Sequence, residues 1–144
     1  MFDEFDKYIL AFASEDFSAD YWYDEGADIA EKMLSEFGED DWKTLFETVS
    51  ARNTEWKKRL AYCMHDESDL YQLKVLLNLA ETDDDELFEI VVDSFRCFTS
   101  EESLNLIQAD LRIVPKIQES MPKAGEATKK VYEDFLKVNG NGGR

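Results

Sequence analysis

Apolar residues recur along the chain at intervals of three and four, which places them on one face of a helix. Phe2, Phe5, Ile9 and Phe12 form a first stripe. Trp22, Gly26, Ile29, Met33 and Phe37 form a second, closed by Gly38 at the place where a helix C-terminus is expected. Trp42, Leu45, Phe46 and Val49 make a third, and Trp56, Leu60, Cys63 and Met64 a fourth. Leu70, Leu73, Leu76, Leu77 and Ala80 follow as a fifth, and Leu87, Val91, Phe95 and Phe98 as a sixth. Leu104, Ile107 and Leu111 are the seventh; Ala127, Val131, Phe135 and Val138 are the eighth. No sustained alternation of period two competes with them: the best strand candidate, Glu89 to Val92, lies inside a longer helical stripe.

The breaks between stripes carry start signals. Thr82 and Thr99 are expected N-caps, each followed three residues on by an acid, Asp85 and Glu102. Asn53 with Thr54, and Ser68, are expected to cap the fourth and fifth helices. The acids after Thr82 (Asp83, Asp84, Asp85, Glu86) fall in a first turn, where the helix dipole favours negative charge. The pattern predicts an all-α protein of about eight helices in antiparallel pairs, with residues 1–138 as one helical domain. The Gly-rich stretch 139–144 is expected to be a disordered tail. A compact helical bundle is the alternative architecture.

One segment is more specific. Trp56-Lys57-Lys58-Arg59-Leu60-Ala61-Tyr62 leads through the turn Asp66-Glu67-Ser68-Asp69 into the helix from Leu70 to Leu79. The acidic turn Thr82 to Asp85 then opens the stripe that ends at Phe95 and Phe98. This segment resembles a HEAT repeat followed by the first helix of the next unit. It lacks the family's usual proline in the first helix and arginine in the second. The resemblance implies a short HEAT-like α-solenoid, in which stacked helix pairs share a core and leave one elongated surface for a partner.

Charge narrows the function classes. The 144 residues carry 33 acids against 16 bases, for a net charge of −17. Residues 1–52 hold a net −11, residues 53–98 a net −6, and residues 99–144 balance to zero. Such a surface repels phosphate, so neither nucleic acid nor an anionic membrane is an expected partner. It favours rapid encounter with a basic protein. No apolar run approaches the ~20 residues of a membrane span. Met1 to Asp6 is acidic and lacks the basic start of a secretory signal, so the expected location is the cytoplasm. Cys63 and Cys97, both within apolar helical patterns, are expected to be buried free thiols.

Enzyme signals are weak. His65 is the single histidine, placed beside Asp66 at a helix end, where a lone histidine more often meets the negative end of the helix dipole than acts as a general base. One histidine cannot supply a His-rich zinc site or paired Glu-x-x-His ligands. Asp83 to Asp85 lacks the glycine and terminal glutamate of a calcium loop. No phosphate-binding glycine loop or nucleophile elbow is present in the sequence. The expectation is a binding protein with no catalytic residue, metal or cofactor.

Recognition chemistry is easier to find. Tyr21, Trp22 and Tyr23 are consecutive, so they cannot all face a core. Trp22 fits the apolar stripe, which leaves Tyr21 and Tyr23 beside Asp20, Asp24, Glu25 and Asp28. Rings beside carboxylates suit Arg and Lys side chains of a partner, although half-buried boundary packing would use the same rings. The turns add Asp66, Glu67, Asp69, Asp83, Asp84 and Asp85, and Tyr71 lies off the apolar face of the fifth helix.

Size, acidity, helical-repeat character and the Trp56 to Tyr62 stretch together resemble the immunity proteins of bacterial polymorphic and contact-dependent-inhibition toxin systems. That resemblance implies a chain that binds and neutralises one cognate toxin, commonly a basic nuclease domain. An intracellular adaptor that binds a protein or peptide along a concave face is the alternative.

Overall fold

The computed structural model describes residues 1–13 and 21–140, with the side chains of Ala13, Asp24 and Gly140 left aside. The described residues are all-helical, with no strand among them. The helices are α1 (Phe2–Ala13), α2 (Ala27–Ser35, entered through a π turn at Trp22–Gly26), α3 (Glu39–Val49), α4 (Thr54–Tyr62) and α5 (Leu70–Leu79). Then come α6 (Asp85–Phe95), α7 (Glu101–Ala109), α8 (Ile113–Ser120) and α9 (Glu126–Phe135), the last continued by a π turn at Leu136–Gly140. The chain divides into two compact units, Met1–Met64 and His65–Arg144. The boundary falls inside the segment 56–98 for which the sequence predicts a helical repeat.

In the first unit α1 packs against α2, α3 and α4. Its stripe Phe2, Phe5, Ile9 and Phe12 is buried as the spacing predicts. Asp6 lies beside that stripe and ties α1 to α4. Its Oδ1 accepts from Trp56 Nε1 at 3.0 Å and from Arg52 Nε at 3.0 Å, and its other oxygen accepts from the same guanidinium. Arg52 also stands 5.7 Å over the Trp56 ring. Asp41 plays a similar part between α1 and α3. Its two oxygens accept the backbone N–H groups of Gly38 and Phe2, each at 3.0 Å. These bonds, the one from Gly38 first, hold the Asp41 carboxyl below its ordinary pKa.

In the second unit α6 packs against α5 and α9, burying Leu87, Phe88, Val91, Val92 and Phe95. Most predicted stripes are the buried faces, but four local expectations are corrected. Ile29 is 51% exposed, and the buried face of the second helix runs through Trp22, Gly26, Ala27, Ala30 and Leu34. The π turn adds a residue to one turn and so rotates every later position on the helix. On α9, Tyr132 and Phe135 are buried and Ala127 in the first turn is exposed; Val138, within the following π turn, is exposed as well. Leu111 is 81% exposed because α7 stops at Ala109, and a helix that the periodicity does not predict, α8, begins at Ile113. Its Pro115 sits in the first turn, where the missing N–H has no intrahelical partner to lose. Asn139, expected in a disordered tail, is helical and buried; residues 141–144 of that tail lie outside the described residues.

The caps shift as well. Asn53 caps α4 by accepting from Trp56 N, as expected. The caps of α5, α6 and α7 are Asp69, Asp84 and Ser100, each one or two residues past the predicted position. Thr82 instead accepts from Asp84 N at 3.1 Å, which shapes the turn before the cap. Gly38 is extended (φ −98°, ψ 179°) and stands at the start of α3, not at a left-handed helix end.

Cys63 is buried but Cys97 is exposed, just past the end of α6; both are free thiols. Burial, with Glu31 adding to it, pushes the Cys63 thiol well up in pKa. Iodoacetamide is therefore expected to modify Cys97 in the native chain and Cys63 only after denaturation. Mass spectrometry distinguishes this from two native modifications or none.

Candidate functional site

The first unit brings two of the sequence-predicted tyrosines to its surface. Trp22 is fully buried and packs on Tyr8 and Phe12. Its neighbours therefore flank the buried edge of the helix. Tyr21 stacks on Phe12 with centroids 5.7 Å apart, and Tyr23 meets Tyr62 edge-on at 4.6 Å. Both rings nevertheless stay partly open to solvent, Tyr21 at 47% and Tyr23 at 39%.

Tyr62 is the residue that the sequence reading passes over. It lies on α4 off the stripe Trp56, Leu60 and Cys63, and it is exposed. Its position off that stripe is the same signal that singles out Tyr21 and Tyr23. Burial chiefly, then the nearby Tyr23, Glu31 and Asp28, raise the Tyr62 hydroxyl pKa. Asp28 and Glu31 thus lie within electrostatic reach of the Tyr23–Tyr62 pair. Asp28 is exposed, Glu31 half-buried, and Glu25 exposed on the preceding turn. The side chain of Asp24, and the whole of Asp20, lie outside the described residues.

Chemically the Tyr23–Tyr62 pair offers partly exposed aromatic rings with carboxylates in electrostatic reach. A guanidinium or ammonium entering it meets both cation–π attraction and charge-assisted hydrogen bonding. The rings are held by aromatic neighbours, so little side-chain freedom is lost on binding.

The second unit uses its predicted acids differently. Asp66 accepts from the Ser68 backbone at 3.0 Å and hydroxyl at 2.6 Å. Glu67 accepts from the Thr99 backbone at 2.9 Å and hydroxyl at 2.7 Å, which clamps the segment ahead of α7. Those two bonds hold its carboxyl below the ordinary range. Asp69 caps α5 by accepting from Tyr71 N. Tyr71 already has Lys74 Nζ 5.9 Å from its ring centre. Asp84 caps α6, while Asp83 and Asp85 are exposed beside it. Asp85 also lines a cleft of about 150 Å³ with Glu86, Glu89, Lys123, Thr128 and Tyr132. There burial, then Glu89 and Asp85, push the Tyr132 hydroxyl up to about 12.

Asp69 carries a testable pH effect. Burial raises its pKa in the folded chain, outweighing the bonds from Tyr71 and Gln72. A raised folded pKa means that stability is greatest with the group protonated and falls as pH rises through that value. Asn is as good an N-cap as Asp and carries no charge to bury. Asp69→Asn is therefore expected to raise Tm at pH 7, with the gain vanishing below about pH 4. A Tm at pH 7 lower than the parent's would contradict it.

No group of three or more metal-ligating side chains is found among the described residues. No helix among them is long and apolar enough to cross a membrane. Comparison with protein-family models, with curated proteins and with solved structures found no match for this chain.

Proposed function

We propose that this chain is an immunity-type binding protein that neutralises a cognate toxin, a basic nuclease domain, by covering it with an acidic, tyrosine-bearing surface. The observation that carries the reading is the exposed Tyr23–Tyr62 pair on the first unit, with Asp28 and Glu31 in electrostatic reach, and a further exposed tyrosine, Tyr21, stacked on Phe12. That unit holds 16 acids against 7 bases. Tyr and Arg dominate the centres of protein interfaces, and here the tyrosines are supplied with the counter-charge that Arg and Lys need. The mechanism is occlusion: charge steers encounter, and desolvated rings slow release. No bond is made or broken, and the reading invokes no cofactor. It places the complex in the cytoplasm, where a toxin of this class would act on nucleic acid.

Expression of the C-terminal domain encoded by an adjacent reading frame tests this. Growth arrest that is relieved by co-expressing this chain supports the reading. Arrest that persists with the chain present and folded, or a neighbouring product without toxicity, overturns it.

A further inference from the structure

The acid-lined cleft of about 150 Å³ in the second unit lies between α6 and the stretch that leads from the end of α8 into α9. Asp85, Glu86 and Glu89 face it from α6, Thr128 and Tyr132 from α9, and exposed Lys123 from the turn between α8 and α9. The helix dipole accounts for Asp85 and Glu86, which stand in the first turn of α6, but not for Glu89 a turn further on. Glu89 is half-buried and accepts from the Thr128 hydroxyl through Oε2. Its Oε1 has no hydrogen-bond partner among the described residues.

Tyr132 adds an independent observation. It is 2% exposed and packs on Phe88 at 6.1 Å, yet its hydroxyl makes no hydrogen bond among the described residues. A buried tyrosine hydroxyl ordinarily finds a partner. The unpartnered polar atoms sealed from solvent belong to Trp22, Arg59 and Asn139. Tyr132 Oη is not one of them, so the small surface that this side chain keeps includes its oxygen, and that surface opens into the cleft. Glu89 and Asp85 act on the hydroxyl electrostatically, which turns the oxygen toward the acidic wall.

We propose that this cleft binds a small primary alkylammonium ion, its N–H donors shared among Tyr132 Oη, Glu89 Oε1 and the Asp85 carboxylate. Three carboxylates against one lysine set the charge. Acceptors supplied from two helices suit a tetrahedral ammonium, which carries its donors on one atom; a quaternary ammonium has none to give. No three ligating side chains among the described residues converge on a metal-sized point, which favours a larger organic cation. The volume sets the size: a cavity of about 150 Å³ holds benzene, so a short alkyl chain fits. Exposed Lys123 at the edge repels a basic polypeptide and favours a free ion over a partner's lysine. The site does not rest on the tyrosine patch or on the toxin-binding reading.

Butylammonium, 1-butanol and butyrate, close in size, are the probes, titrated at pH 7 and fixed ionic strength into the full 15N-labelled chain and followed by amide shifts. Butylammonium is expected to move the amides of Glu89, Thr128 and Tyr132. 1-Butanol is expected to bind at least about tenfold more weakly, and butyrate not to bind. Tyr132→Phe, which keeps the buried ring and removes the acceptor, is expected to weaken butylammonium about tenfold. Glu89→Gln, which removes the charge, is expected to weaken it by a similar factor, and it reads out even if Tyr132→Phe does not fold. A lysine capped at both ends, as its N-acetyl methylamide, is expected to bind no more tightly than butylammonium. Shifts that avoid the cleft overturn the proposal. So do equal affinity for 1-butanol, unchanged butylammonium affinity in either variant, or tighter binding of the capped lysine.

Discussion

Trp56→Ala is expected to destabilise the first unit by about 4 kcal/mol, in line with truncation of a fully buried aromatic. Trp56 is 0% exposed on α4, the helix that α1 packs against. Three contributions disappear together. The indole surface returns to solvent or leaves a cavity. The bond from Nε1 to Asp6 is lost, and so is the Arg52 guanidinium over the ring. The Asp6–Arg52 pair survives the substitution but loses its apolar cover, so solvent weakens it. Trp56→Phe separates these terms: it keeps much of the ring and loses the N–H donor, for an expected loss of about 1–2 kcal/mol. Urea denaturation followed by far-ultraviolet circular dichroism measures both. A loss below about 1 kcal/mol for the alanine variant would show that the α1–α4 contact does not hold the unit together.

Gly26→Ala is the second large effect, and its sign opposes helix propensity. An alanine in an ordinary helical position would gain about 1 kcal/mol over glycine. Here an added Cβ would stand 2.9 Å from Trp22 Cε3 and 3.0 Å from Phe12 Cζ. Both rings are buried and packed on each other at 5.1 Å, so neither can give way freely. The Gly26 carbonyl also accepts from the Tyr8 hydroxyl at 3.0 Å, which fixes the backbone against the same cluster. The expected net loss is about 2 kcal/mol from overpacking. Gly125→Ser is the control, since nothing lies within 4 Å of its added Cβ. There Ser can supply a cap to α9 and is expected to be neutral or slightly stabilising. If Gly26→Ala matched the control, the ring cluster around Trp22 would be looser than described.

What the residues reveal before folding, and what they conceal, follows from locality. The stripes of α1, α3, α4 and α6 are legible because a regular 3.6-residue period carries each apolar side chain to one face. The period fails after Trp22 and after Phe135, where a π turn breaks the phase, so Ile29 and Val138 move outward and Ala30 and Asn139 move inward. A π turn has no composition signature of its own. The caps slip because Thr82 and Thr99 are adequate cap residues that tertiary contacts use elsewhere, Thr99 on Glu67 and Thr82 within its own turn. In the site, Tyr21 and Tyr23 are legible because three consecutive aromatics cannot share a face. Their partners are not: Phe12 and Tyr62 are distant in sequence, and only packing brings them to the tyrosines. The acids of the second unit are visible in composition, but their hydrogen bonds show that Asp66, Glu67, Asp69 and Asp84 shape turns and helix starts.

The central claim is that acidic charge and exposed tyrosines on the first unit recognise a basic partner. Stopped-flow association with the neighbouring-frame toxin domain, measured from about 20 mM to about 500 mM NaCl, tests it most directly. In the parent chain the association rate is expected to fall at least about tenfold across that range. In the folded Tyr21→Ala/Tyr23→Ala variant dissociation is expected to be about a hundredfold faster at any one salt concentration. An association rate that stays flat with salt, together with unchanged dissociation in that variant, would contradict it.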